Sequence, residues 1–203
     1  DGIITRTIES DELPTLMRFG RLWVEGESNT DSRTDSLLEV LDMNTSRLTS
    51  CHSMFRYCKN LTSISCEWDT SNVIDMNSMF SICNNLTSLD VSNFDTSSVT
   101  IMAHIFDSCN KLTTLNVSNW NTSNVTNMYG MFFSCNNLIS LDVSNFDTSK
   151  VAIMGYMFSN CNKLTTLDVS NFDTSSVTNM VGMFYGCTNL TSLDVSNWNT
   201  SNV

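Results

Sequence analysis

Hydrophobic residues in this chain follow two spacings that recur in tandem. In the stretch Leu86 to Phe94, LTSLDVSNF, apolar residues fall at 86, 89, 91 and 94, and Leu89 and Val91 alternate with polar neighbours as a short half-buried strand requires. Immediately after it, Val99, Met102, Ile105, Phe106 and Cys109 fall at i, i+3, i+6, i+7 and i+10. That spacing predicts one apolar stripe on a short helix of about two to three turns. Asp95, Thr96, Ser97 and Ser98 stand just ahead of the stripe, with side-chain oxygens suited to the unsatisfied N–H groups of a first helical turn. Asp147 and Asp173 occupy the same place in later copies and are expected as helix caps.

The tandem is a repeat. Cys58, Cys83, Cys109, Cys135, Cys161 and Cys187 are 25, 26, 26, 26 and 26 residues apart, and Trp68, Phe94, Trp120, Phe146, Phe172 and Trp198 are each 26 apart. The one short interval lies in LTSISCEW, Leu61 to Trp68, where a residue is missing just after the expected strand. Upstream, Leu41 to Cys58 reads as a degenerate first copy with Cys51 in the column of Met76 and Met102. A 26-residue unit cannot cover its own apolar face, so copies must stack on one another. The expected fold is an α/β repeat: a right-handed solenoid of about six copies over residues 37–203, with one short parallel strand and one short helix per copy, ending within a repeat. Residues 1–36 carry Pro14 and three of the seven glycines and lack the repeat. A strand across Leu16 to Val24 capping the first copy is the favoured reading, and the end of a preceding domain is the alternative.

Composition narrows the function classes. Hydrophobic residues make up 41% of the 203, which suffices for a core, whereas charged residues are only 15% and the polar share falls to Ser, Thr and Asn. The net charge of −11 opposes binding to a nucleic acid backbone or an anionic membrane surface. No apolar run approaches the ~20 residues of a membrane span, so no membrane insertion by this segment is expected. Most of the acidic excess lies in residues 60–203, with eleven acids against three bases.

Candidate chemistry is sparse. The cysteine column sits at the end of the apolar stripe without paired CxxC spacing, which favours buried free thiols over inter-repeat disulfides or a metal site. His52 and His104 lie in different columns with no recurring carboxylate, Ser or Cys expected within reach, so neither a catalytic group nor a metal ligand is nominated and no cofactor is expected. Asp142 and Asp147, like Asp168 and Asp173, recur five apart, and that repetition marks them as structural. The Thr96, Thr122, Thr148, Thr174 and Thr200 column is a single file beside charged residues, which argues against an ice-binding array.

Two surfaces remain for binding. The positions flanking the strand hydrophobes place Asp90, Asn116, Asp142, Asp168 and Asp194 in one file on the side expected to be concave, bordered by Ser and Thr. Strands about 4.8 Å apart would bring these carboxylates into mutual repulsion, raising their pKa values or recruiting a cation. On the expected helical side, Tyr129, Phe133, Tyr156 and Tyr185, with Tyr57, replace small or polar residues and are either recognition aromatics or packing between copies.

The LxxLxV pattern, the MFxxCxxL junction at Met183 to Leu190 and the phrase LDVSNFDTSxVTxM together resemble the BspA-like leucine-rich repeat surface proteins of bacteria over about Leu38 to Val203. The resemblance implies a leucine-rich-repeat-like solenoid on a secreted, lipid-anchored or wall-anchored protein that binds host or neighbouring-cell components. Such repeats also occur in bacteriophages and some protists. The expected function is thus a non-catalytic, adhesin-type binding module for a host or neighbouring-cell surface protein or glycan, outside the cell or on its surface. It would act as a monomer or part of a longer chain. A structural spacer and a receptor-binding repeat domain of a phage particle are the alternatives. In a bacterial protein the many N-x-S/T triplets, such as Asn85-Leu86-Thr87, are expected to carry no glycan.

Overall fold

A computed structural model describes residues 45–64 and 68–203 together with the backbone of 39–40. The expected N-terminal capping strand, the residue deletion after the second strand and Cys66 lie outside the described residues. The rest is a solenoid of stacked coils whose backbones meet along two parallel lines. The first is a three-stranded parallel sheet, β1 (Glu39–Val40), β2 (Ser63–Ile64) and β3 (Ser88–Leu89), in sequence order and in register, with Ser63 opposite Ser88 and Ile64 opposite Leu89. The second is a file of single parallel bridges from Ser50 through Asp75, Ile101, Asn127 and Ile153 to Asn179.

Strands stay short because side chains take over the backbone donors. Beyond Asp90 the Ser92 N–H donates to the Asp90 carboxylate of its own coil, 3.0 Å away, and the same turn recurs at Ser144 and Ser170. A donor satisfied locally is withdrawn from the ladder between coils. That turn ends β3 at Leu89, and among the described residues the expectation of one strand per copy holds in regular form only for the first three.

The expected helices are absent: no described residue is helical, and the second half of each coil is a run of linked turns. Alternate N–H groups point along the solenoid axis. Those of Met76, Ser78, Phe80 and Ile82 donate to the carbonyls of Ile101, Ala103, Ile105 and Asp107 in the next coil, at 2.7–3.0 Å. The intervening donors close turns within the coil, Met79 to Met76, Ser81 to Ser78 and Cys83 to Phe80, at 3.1–3.2 Å. Ser78 and Ile82, third residues of two such turns, have φ of 56° and 63°, as type II turns require. Left-handed backbone at these positions excludes an α-helix, and it costs roughly 1–2 kcal/mol per residue outside glycine. The inter-coil hydrogen bond made by each residue's own N–H offsets that cost. A three-residue turn spacing and a 3.6-residue helix bury nearly the same stripe, which is why periodicity alone selects the wrong element here. Asp147 and Asp173 accordingly cap no helix; each accepts the N–H two residues on, from Ser149 and Ser175, at 3.0 and 2.9 Å.

The core consists of files of identical residues. Phe80, Phe106, Phe132 and Phe158 stack with centroids 5.6–5.8 Å apart, and the Met, Val and Leu columns beside them are equally enclosed. Trp120 interrupts a phenylalanine file without leaving a buried donor unpaired, because its indole N–H donates to the Val91 carbonyl one coil back at 3.1 Å. The threonine column faces inward: Thr96, Thr122, Thr148 and Thr174 are buried, each hydroxyl donating to the next coil at 2.9–3.0 Å.

Candidate functional site

One groove runs along the sheet side over five coils, with a volume of about 730 Å³. Its rim carries Asp90, Asn116, Asp142, Asp168 and Asp194, so the file expected from the sequence is assembled as one surface. Ser88, Thr114, Ser140, Thr166 and Ser192 stand beside them. Leu89, Leu115, Leu141 and Leu167 form the floor at 6–8% exposure. Sequence reasoning missed that floor, since the alternation that makes these leucines core residues carries no sign that one edge of each faces a groove. Ser92, Ser118, Ser144 and Ser170, two residues further along each coil, do not line it; they turn back to their own coil's Asp or Asn.

That turning back fixes the groove's electrostatics. At Asp142 the Ser144 hydroxyl and backbone N–H both donate to one carboxylate oxygen, at 2.7 and 3.0 Å. The two donors, the hydroxyl foremost, hold the Asp142 carboxyl below its ordinary 3.8, and Asp90 is held down in the same way by Ser92. For Asp168 the Ser170 donors outweigh the opposing push of Asp194 and Asp142. The expected upward shift from stacked repulsion is thus reversed: hydrogen bonding to the charged form exceeds a Coulomb interaction screened by solvent. Asn116 makes the same turn through its amide oxygen, accepting from Ser118 at 2.8 and 3.2 Å, so it preserves the geometry while breaking the row of charge. The groove presents four carboxylates and no basic side chain. Carboxylates accept and do not donate, so a bound molecule would have to supply donors.

The aromatic alternative divides. Tyr129, Phe133 and Tyr156 lie on turns rather than on a helix and are half-buried. Tyr129 meets Tyr156 at 5.6 Å and Phe133 meets Tyr156 at 6.2 Å, both edge-on, so these rings pack coil against coil. Tyr185 alone of the four is open, at 70% exposure. Tyr57 lies under the Arg56 guanidinium at 5.1 Å.

The histidines, expected to stand without carboxylates in reach, do have them. His52 Nδ1 is 3.3 Å from Asp75 Oδ2 of the next coil, and His104 Nδ1 is 3.2 Å from Asp107 Oδ2. Stacking of coils makes the first contact and the tight turn His104–Asp107 the second, and neither is visible to a column count.

Cys83, Cys109, Cys135 and Cys161 are buried, Cys187 is half-buried, and all five are free thiols. Each Sγ donates to a phenylalanine carbonyl of the preceding coil at 3.0–3.2 Å. Burial pushes the Cys135 thiol up to about 12 and Cys109 well above 9.0, so these are protonated, unreactive groups.

The family model described as "Mycoplasma protein of unknown function, DUF285" matches residues 28–138 and again 103–203. The chain belongs to the DUF285 family. Two overlapping matches on one chain fit a DUF285 unit that is itself repetitive. Among solved structures, the crystal structure of a leucine-rich repeat protein of T. pallidum is similar at 18% identity and a TM-score of 0.38, over 76% of this chain and 72% of that one. No curated protein matches. Within the DUF285 repeat, no described helix is long and apolar enough to cross a membrane.

Proposed function

We propose that this protein is a non-catalytic binding module of the adhesin type, secreted or displayed on a bacterial cell surface, with the sheet-side groove as its ligand face. The observation that carries the reading is the groove itself: five coils align an uninterrupted file of ionised or amide acceptors over a leucine floor. Its ligand is a donor-bearing surface of a host or neighbouring cell, a protein presenting ammonium or guanidinium groups or a glycan presenting hydroxyls. The acidic balance of the repeats works against nucleic acid as the partner. The resemblance of the repeat to BspA-like surface proteins supports the same class, a leucine-rich-repeat-like array outside the cell.

A glycan array and pull-downs against host matrix proteins test this, comparing the native chain with Asp142→Ser/Asp168→Ser and with Tyr185→Ser. Binding lost on changing the groove and kept on changing Tyr185 supports it. No binding in either screen would identify a spacer that presents another domain, and loss confined to Tyr185→Ser would move the ligand to the opposite side. Capture of a bacterial surface receptor instead of a host component would favour the phage-particle reading.

A further inference from the structure

Two adjacent columns on the turn side show a size alternation. In four successive coils the pair of residues is Ala103-His104, Tyr129-Gly130, Gly155-Tyr156 and Val181-Gly182. The bulky member therefore changes column from coil to coil, and a glycine stands in the column it vacates. The structure makes each such pair a contact. A Cβ on Gly130 would lie 2.8 Å from the His104 ring, one on Gly155 would lie 3.0 Å from the Tyr129 ring, and one on Gly182 would lie 2.5 Å from the Tyr156 ring. Each of the three rings, His104, Tyr129 and Tyr156, lies across the glycine of the following coil. The rings also touch one another along the zigzag, His104 to Tyr129 at 5.2 Å and Tyr129 to Tyr156 at 5.6 Å.

Backbone conformation does not explain the glycines. Gly130 and Gly182 have φ of 57° and 58°, but Ser78, His104 and Tyr156 adopt 54–56° in the same column without being glycine. Gly155 has no such φ at all. Space for the preceding coil's ring is what these three positions share.

We propose that this zigzag is a neighbour-recognition key, which specifies which coil follows which in an array of otherwise nearly interchangeable repeats. The ambiguity it resolves is visible in the sequence, where LDVSNFDTS occurs identically at 89–97, 141–149 and 167–175. The backbone hydrogen bonds and the Phe80, Phe106, Phe132 and Phe158 stack between coils repeat from copy to copy, so they cannot distinguish a neighbour from the coil beyond it. The key can. Skipping one coil would set His104 against Tyr156, or Tyr129 against Val181, where the structure leaves room only for hydrogen. Pairing a coil with its own counterpart from a second molecule would set Tyr156 against Tyr156. Skipping two coils would set His104 against Gly182, a permitted pair.

In-phase deletions in the full chain separate the key from ordinary packing. Removing 113–138 brings His104 onto Tyr156, and removing 113–164 brings it onto Gly182. The expected result is that the chain lacking 52 residues melts at a higher temperature than the chain lacking 26, against the usual gain of solenoid stability with each added copy. Tyr156→Ser should lower the melting temperature of the intact chain, where the ring fills the space over Gly182, and raise it in the 26-residue deletion. Should that deletion fail to fold, recovery of cooperative unfolding on adding Tyr156→Ser supports the key and its absence overturns it. Melting temperatures that fall in order of coils removed, with Tyr156→Ser destabilising both backgrounds, would overturn it as well.

Discussion

The Cys109 thiol donates to the Phe80 carbonyl at 3.2 Å, and that carbonyl already accepts the Cys83 N–H of its own turn at 3.1 Å. The thiol thus adds a second bond to an acceptor whose other lone pair is used, and the sulfur fills the end of the core stripe. Loss of a single thiol leaves no carbonyl orphaned, so the expected cost is moderate. Cys135→Ala should destabilise by about 1–2 kcal/mol through lost packing and one weak bond, measured by denaturant unfolding. Site-resolved alkylation should label Cys187 first, as its burial is incomplete, and Cys83, Cys109, Cys135 and Cys161 only after denaturation. Reductant should leave the melting temperature unchanged. Disulfides joining successive coils in the native protein would contradict the thiol arrangement.

Alkaline pH should find the same column. Burial first, and Asp107 second, raise the Cys135 thiol to about 12, whereas in an unfolded chain a thiol ionises near its ordinary 9.0. Above that value the unfolded state binds fewer protons than the folded one, so stability falls as pH rises. The contribution is complete below pH 9 and is lost progressively from there toward 12. Each such thiol steepens the slope by at most about 1.4 kcal/mol per pH unit. Unfolding free energies measured from pH 8 to 10.5 should show this decline, and Cys135→Ala should make it shallower. A slope unchanged by that substitution would mean that the thiol ionises freely in the fold.

The threonine column supplies a sharper energetic test. Thr122 is 1% exposed and its hydroxyl donates to the Asp147 carbonyl at 2.9 Å, while its methyl group lies in the core. Thr122→Val keeps the shape and removes the bond, which should cost about 1–2 kcal/mol at a buried acceptor. Thr122→Ser keeps the bond and removes a methyl, for about 1 kcal/mol. Near-equal loss from both is expected in thermal or chemical unfolding, and a valine variant as stable as the native chain would show that the hydroxyl contributes nothing.

The repeat length, the stacking, the buried columns and the file Asp90, Asn116, Asp142, Asp168, Asp194 were all legible from spacing alone, because each follows from which side chains must share a face. The turn half was misread as helix for a physical reason: Val99, Met102, Ile105 and Cys109 at three- and four-residue steps satisfy a chain of turns as well as a helix. Composition held the missing signal. His104, Ser108 and their counterparts sit where left-handed backbone is needed, and the segment is poor in Ala, Glu, Lys and Leu, the strong helix formers. Contacts between coils, such as His52 with Asp75 or Tyr156 over Gly182, depend on the exact stagger of neighbouring coils and could not be read from columns.

The groove's acidity is the remaining relationship open to direct measurement, and Asp142 is the place to make it. Its carboxylate accepts two bonds from Ser144 and is held below 3.8, so its folded value lies under its unfolded one. A group shifted in that direction stabilises the fold above about pH 4, and the contribution is lost as pH falls through the folded value. The groove should therefore stay fully charged through mildly acidic conditions. Carbon-detected NMR titration of the Asp142 carboxyl should place its midpoint below 3.8, and Ser144→Ala should move that midpoint upward. Asp142→Asn, which repeats the turn already made by Asn116, should leave stability within about 0.5 kcal/mol, whereas Asp142→Ala should cost about 0.5–1 kcal/mol for the lost turn bonds. A midpoint above 3.8 that falls when Asp168 is changed to Asn would show that repulsion along the file outweighs the serine donors, and would return the groove to the cation-recruiting surface that stacking alone suggests.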